Sequence, residues 1–176
     1  FLRKSLPDLH GIIVSDYAKG VVTRDFLDAL RDLVANQPLP VVVDPKVQHA
    51  EFYRSFTMVT PNHHEASQMS GIPIRGEKSL LQAGESLLAR LACETVLITR
   101  GKEGMSLFQR HGPVVHIPTV AQRVYDVTGA GDTVIAAVTL GLVAGLSPAE
   151  AAMLANLAAG VVVGEVGTAV VSSAQL

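Results

Sequence analysis

The residues best suited to chemistry lie in Asp126-Val127-Thr128-Gly129-Ala130-Gly131-Asp132, which runs straight into an apolar helix. Small residues let the backbone approach a ligand closely, and glycine permits turns that other residues resist. Free amides at the start of the following helix point at an anion and are helped by the helix dipole. A carboxylate beside such an anion pocket is electrostatically unfavourable unless it takes a proton from an attacking hydroxyl. In phosphoryl transfer one positioned base has that role, while amides and Mg²⁺ stabilise the charge. Asp132 is the candidate base, and Thr128, Gly129, Ala130 and Gly131 are the candidate phosphate cradle. The alternative is an ordinary glycine-rich loop with an acidic first turn. A bare Gly-x-Gly would favour that alternative, and the seven-residue string in this context does not.

Other candidates are single residues. Glu65 follows Thr60-Pro61-Asn62 and reads either as part of a metal shell or as a solvated helix glutamate. Lys46 sits just past an apolar run, as a phosphate-binding or a surface lysine. Asp16 and Lys19 lie in a loop where substrate contact competes with plain solvation. Asn156, on an apolar helix, is either a satisfied buried amide or a pocket residue. His63 and His64 are adjacent, so they face different directions on a helix, and no His-Glu-x-x-His spacing accompanies them; zinc is not indicated.

These residues need elements to position them. Gly11–Ser15, Pro40–Pro45, Thr57–Pro61 and Thr95–Thr99 are short runs rich in Val, Ile and Leu, and read as buried strands. Helices are expected over Thr23–Ala35 with Thr23 as N-cap, from Asn62, over Leu80–Leu91, over Gly131–Val143, and from Ser147 onward. Ser147-Pro148-Ala149-Glu150 combines an N-cap serine, a proline at the first position and a glutamate three after the cap. Met105–Phe108 and Val114–Ile117 read as a more exposed pair turned at His111-Gly112-Pro113. Leu140, Leu142, Met153 and Leu154 are expected in the core. Strands alternating with helices indicate an α/β fold with a parallel sheet. Ligands in such sheets bind beyond the C-terminal strand ends, where Asp16, Lys46, Asn62 and Thr99–Gly101 fall.

Bulk composition narrows the function classes. The 176 residues are 48% hydrophobic and 17% charged, which excludes a disordered chain and favours one domain over 1–176. A net charge of −2 with no basic run argues against nucleic acid. No apolar stretch is long enough for a membrane helix. Cys93 is the only cysteine, which fits a reducing, cytoplasmic setting. Phe1–Ser5 lacks a signal peptide's apolar core and an initiator Met, and reads as an interior cut of a longer chain.

The string Asp126–Asp132 closely resembles the C-terminal signature of the PfkB, or ribokinase-like, carbohydrate kinases. Thr60-Pro61-Asn62-His63-His64-Glu65 is similar to the family's T-P-N-x-x-E motif, whose Asn and Glu organise Mg²⁺ and the ATP phosphates. Thr99-Arg100-Gly101-Lys102-Glu103-Gly104 resembles the strand-end loop bordering the nucleotide, and Asn156 the helix position at the adenine pocket. The resemblance covers essentially the whole chain. It implies a three-layer α/β/α sandwich, ATP and Mg²⁺ as cofactors, Asp132 as base, Glu65 as metal ligand, and Asn62, Thr99, Gly101, Gly104 and Asn156 on the nucleotide. It also implies a sugar-binding part and a lid, which forms a homodimer, that would lie before Phe1 and are absent from this chain. Ser15-Asp16-Tyr17-Ala18-Lys19-Gly20, Val43-Asp44-Pro45-Lys46, Tyr125-Asp126-Val127-Thr128 and Ala159–Gly164 are most similar, within the family, to the kinase of ADP-heptose biosynthesis. That kinase phosphorylates D-glycero-β-D-manno-heptose 7-phosphate at the anomeric oxygen. Another sugar or nucleoside kinase, or a non-catalytic nucleotide-binding fragment, is the alternative.

Overall fold

The computed structural model describes residues 2–121, 124–167, 169–172 and 174–175. Phe1, the expected point of the cut, lies outside them. After a short helix α1 (Leu2–Ser5), the chain forms β1 (Ile12–Ser15), α2 (Arg24–Val34), β2 (Val41–Asp44), β3 (Met58–Val59), α3 (His63–Ser70), α4 (Glu77–Leu91) and β4 (Thr95–Thr99). Then come β5 (Met105–Gln109), β6 (Val115–Ile117), α5 (Ala130–Val143) and α6 (Pro148–Val163). The strands make one six-stranded sheet in the order β1-β2-β3-β4-β5-β6. The first four are parallel, and β5 and β6 run antiparallel.

This order explains the layers. Parallel neighbours joined in sequence by right-handed crossovers place every connecting helix on the same face. So α2, α3 and α4 cover one side, and the other is closed only when α5 and α6 return across it. Alternation along the strands serves both sides. Val41, Val43, Val96 and Ile98 join Leu27, Leu30, Leu80 and Leu87 in one core. Val42 and Leu97, one residue out of step, join Val134, Val138, Ala151 and Ala155 in the other. The result is an α/β/α sandwich.

Helix ends follow the expected caps. Thr23 accepts from the amide of Phe26. Ser147 and Glu150 form the reciprocal capping box, with the Ser147 amide donating to Glu150 at 2.9 Å.

Two expectations are corrected. Strand β5 is not exposed: Met105 through Phe108 are buried, because β5 lies between β4 and β6 and both its faces are covered. Leu140 and Met153 are not core; they are 67% and 48% exposed, while Leu142 and Leu154 are half-buried. Helices α5 and α6 are apolar all round, so their sequences carry no stripe to tell the packed face from the open one. The smaller Ala151, Ala152, Ala155 and Ala158 take the packed face of α6.

Candidate active site

Two cavities adjoin at the C-terminal rim of the sheet. The first, about 340 Å³, is largely apolar and is lined by Thr99, Gly101, Gly104, Val127, Ala130, Asn156 and Val163 among others. The second, about 200 Å³, is polar and is lined by Tyr17, Asp44, Lys46, Thr60, Asn62, Glu65, Gly129 and Asp132. Thr99, Gly131 and Val134 line both. A ligand with a flat apolar end and an anionic tail could lie across that junction.

The start of α5 forms the junction. Gly129 has φ +79°, a left-handed turn that favours glycine, and lets the chain swing into the helix. Among the described residues the amides of Gly131 and Asp132 have no backbone partner, as expected in a first helical turn. A Cβ placed on Gly131 would meet nothing within 4 Å, so the space facing it is open. Free amides facing open space at a helix start are a geometry that can hold an anion. Just before it, the Thr128 amide donates to Asp126 Oδ1 at 2.9 Å, which holds the turn. The Thr128 hydroxyl and amide keep the exposed Asp126 below the usual carboxylate range. Thr128 shapes the turn without lining either cavity.

On the opposite wall, β3 runs out into Thr60-Pro61 and α3 begins after its N-cap Asn62. Asn62 Oδ1 accepts from the amides of His64 and Glu65, and Glu65 Oε2 accepts from the Asn62 amide at 3.0 Å. The other oxygen of Glu65 meets Lys46 Nζ at 3.2 Å. Burial alone would lower the Lys46 pKa, but the Glu65 hydrogen bond and charge outweigh it and hold the ammonium protonated. Glu65 is therefore not a freely solvated helix glutamate. Asn156 is buried and donates to the Pro118 carbonyl at 2.8 Å, which fixes its side chain at the apolar cavity.

Asp16 and Lys19 are placed differently from the other candidates. The Asp16 carboxylate is 1% exposed and accepts from Tyr53 Oη and the Ala18 amide, with His49 Nδ1 at 2.6 Å. Burial pushes its pKa up, and these hydrogen bonds more than reverse that, so it stays below the usual range. It anchors its loop and does not face the cavity. Lys19 is exposed and lines neither cavity.

Asp44 and Tyr17 line the polar cavity and stand in strings that carry the family resemblance, but nothing in the sequence assigns either a role of its own. Asp44 ends β2 on the site rim, a position that was itself the available signal. Burial, opposed by Lys46 and reinforced by Glu65, Asp132 and Asp16, pushes its pKa up to about 6. The native state thus holds this proton more tightly than the unfolded chain does. The associated stabilisation is full below about pH 4 and is lost as pH rises through about 6. Asp44→Asn is expected to raise Tm at pH 7–8, a gain on the order of 2 kcal/mol that fades towards pH 4. Thermal melts across that range check this. A difference independent of pH would contradict it.

The profile of the pfkB family of carbohydrate kinases matches residues 10–175. The chain belongs to the pfkB family. As a family member it is similar over its whole length to the bifunctional protein HldE of Geobacter metallireducens, at 52% identity, covering 36% of that protein. The bifunctional protein HldE of Proteus mirabilis is 44% identical over 99% of the chain and 36% of the relative. The chain therefore spans about a third of the length of these relatives. Its fold is ribokinase-like. Ribokinase from Arabidopsis thaliana, solved with ribose and ATP, superposes with a TM-score of 0.79 at 22% identity, over 94% of this chain and 53% of that one. Phosphofructokinase-2 from Escherichia coli, solved with potassium, gives 0.85 at 17% identity, over 99% and 58%. Among the described residues no helix is long and apolar enough to cross a membrane.

Proposed function

We propose that this chain supplies the nucleotide-binding and catalytic part of a pfkB-type kinase domain that transfers the γ-phosphoryl group of ATP to a sugar hydroxyl. The single observation that carries the reading is the junction at Gly131. An apolar cavity of nucleoside size opens there onto unpaired helix-start amides, with Asp132 on the far side. In this reading the adenine lies between Gly101, Gly104 and Asn156, and the phosphates pass Thr99 to the turn at Gly129–Gly131 and the free amides of Gly131 and Asp132. Lys46 adds positive charge beside them. The acceptor hydroxyl gives its proton to Asp132 as its oxygen bonds to phosphorus and the bond to the ADP oxygen breaks. Lys19, on the exposed rim, is the candidate contact for the rest of the acceptor.

Glu65, with Asp44 on the same cavity, would hold Mg²⁺. Among the described residues no group of three or more His, Cys, Asp or Glu forms a cage for an ion. One or two carboxylates completed by phosphate oxygens and water suit Mg²⁺, which rarely uses an all-protein site. When bound, the ion supplies positive charge to the phosphate oxygens.

The acceptor we propose is D-glycero-β-D-manno-heptose 7-phosphate, converted to the 1,7-bisphosphate in ADP-heptose synthesis for lipopolysaccharide. Similarity to the HldE proteins at 44–52% identity supports this choice. The intact protein would act as a cytoplasmic homodimer. The test is coupled ADP release by the intact protein with this heptose phosphate, fructose 6-phosphate, ribose and adenosine. The highest kcat/KM should fall on the heptose phosphate. Preference for another acceptor would replace the substrate but keep the kinase. ATP binding without transfer to any acceptor would favour a non-catalytic nucleotide module.

A further inference from the structure

We propose that Tyr17 is a positioning residue for the phosphoryl transfer, holding one oxygen of the Asp132 carboxylate so that the other faces the acceptor hydroxyl. The inference rests on the reading of Asp132 as the base. Tyr17 Oη donates to Asp132 Oδ1 at 3.1 Å, joining the loop after β1 to the start of α5 across the polar cavity. A carboxylate on a short side chain can present either oxygen, and a donor on one of them selects the other. Oδ2 has no partner among the described residues, so it is the oxygen left for a substrate proton.

The loop is built to hold Tyr17 there. Asp16, immediately before it, is locked from three directions by Tyr53, His49 and the Ala18 amide. Ala18, immediately after it, takes φ 52°, a left-handed conformation unfavourable for alanine that the Asp16 bond to its amide helps to impose. Tyr17 itself remains 57% exposed. A tyrosine placed for packing would be expected to bury its ring, whereas this one spends a strained, buried anchor on a solvent-facing hydroxyl. Lys46 Nζ lies 5.9 Å from the ring centroid, so Tyr17 also bridges the Asp132 wall to the Lys46–Glu65 wall.

An exposed hydroxyl contributes little to folding, so its loss should appear in turnover and not in stability. The test uses the intact protein with ATP, Mg²⁺ and the acceptor giving the fastest ADP release in the panel above. Tyr17→Phe should lower kcat about ten-fold, the effect of losing one hydrogen bond to a charged group, with KM for ATP and Tm unchanged. In an Asp132→Asn background the same change should have no further effect, because the oriented base is already gone. Wild-type kcat in Tyr17→Phe, or an equal loss in both backgrounds, would overturn the positioning role while leaving Asp132 as base. Only if Asp132→Asn also turned over normally would the reading beneath it fall as well.

Discussion

Asp132→Asn in the intact protein is expected to leave ATP affinity within a few-fold and to cut turnover by ~10²–10⁴. The amide is nearly isosteric and still accepts from Tyr17, so neither the Gly129 turn nor the apolar cavity should change. What disappears is the proton acceptor. In the proposed function the phosphates are held by main-chain amides of the same turn, which the substitution does not touch, so binding and chemistry should separate cleanly. Removing a negative charge beside the phosphates could even tighten ATP slightly, since like charges repel at short range. Steady-state kinetics with calorimetry on the same preparation checks this. Wild-type turnover would remove Asp132 from the chemistry, and equal losses in affinity and kcat would make it a structural residue.

Gly104→Ala should have the second largest effect, through a different link in the chain from sequence to function. Gly104 adopts φ 79° and ψ −129°, a region that is essentially glycine-only. A Cβ there would lie 2.0 Å from the Ile117 carbonyl oxygen and 2.6 Å from the Thr119 amide nitrogen. Both obstacles are backbone, so no rotamer change relieves them. The Gly104 carbonyl also accepts from the Arg100 amide at 2.8 Å, closing the turn between β4 and β5. Backbone strain and overpacking together should cost about 3 kcal/mol or more. For a domain of this size that lowers Tm by roughly 6–12 °C. Because Pro118 holds the Asn156 side chain, pushing the 117–119 segment away should also raise KM for ATP. Melting within a degree of wild type would show that the turn can relax.

The elements were legible wherever one period dominated. Val41-Val42-Val43 and Thr95–Thr99 are short apolar runs that end in polar residues, and both are central strands. Caps at Thr23, Asn62 and Ser147 are local patterns, and each forms as its residues require. The faces of α5 and α6 were not legible, because helices apolar on every side give no contrast. Met105–Phe108 read as exposed, whereas β6 pairing on the far side of β5 and helices over both its faces bury it.

The site divides in the same way. Asp132, Glu65, Gly129 and Asn156 sit in strings that mark them as candidates, and all four line one of the two cavities. Asp16 has the right residue type in the right loop, but its contacts with Tyr53 and His49 come from more than thirty residues away in sequence. Tyr17 is the converse case. It stands in the string Ser15–Gly20, but nothing local gives it a role, because its hydrogen bond to Asp132 spans 115 residues.

In the proposed function the turn at Gly129–Asp132 receives the phosphates of a nucleotide whose base lies along Gly101–Gly104. Amide hydrogen exchange of the protein, with and without a non-hydrolysable ATP analogue and Mg²⁺, tests it directly. Slower exchange is predicted over 129–133 and 101–105, with α2 at 24–34 unchanged. Protection confined to other segments, with 129–133 exchanging as in the free protein, would contradict it.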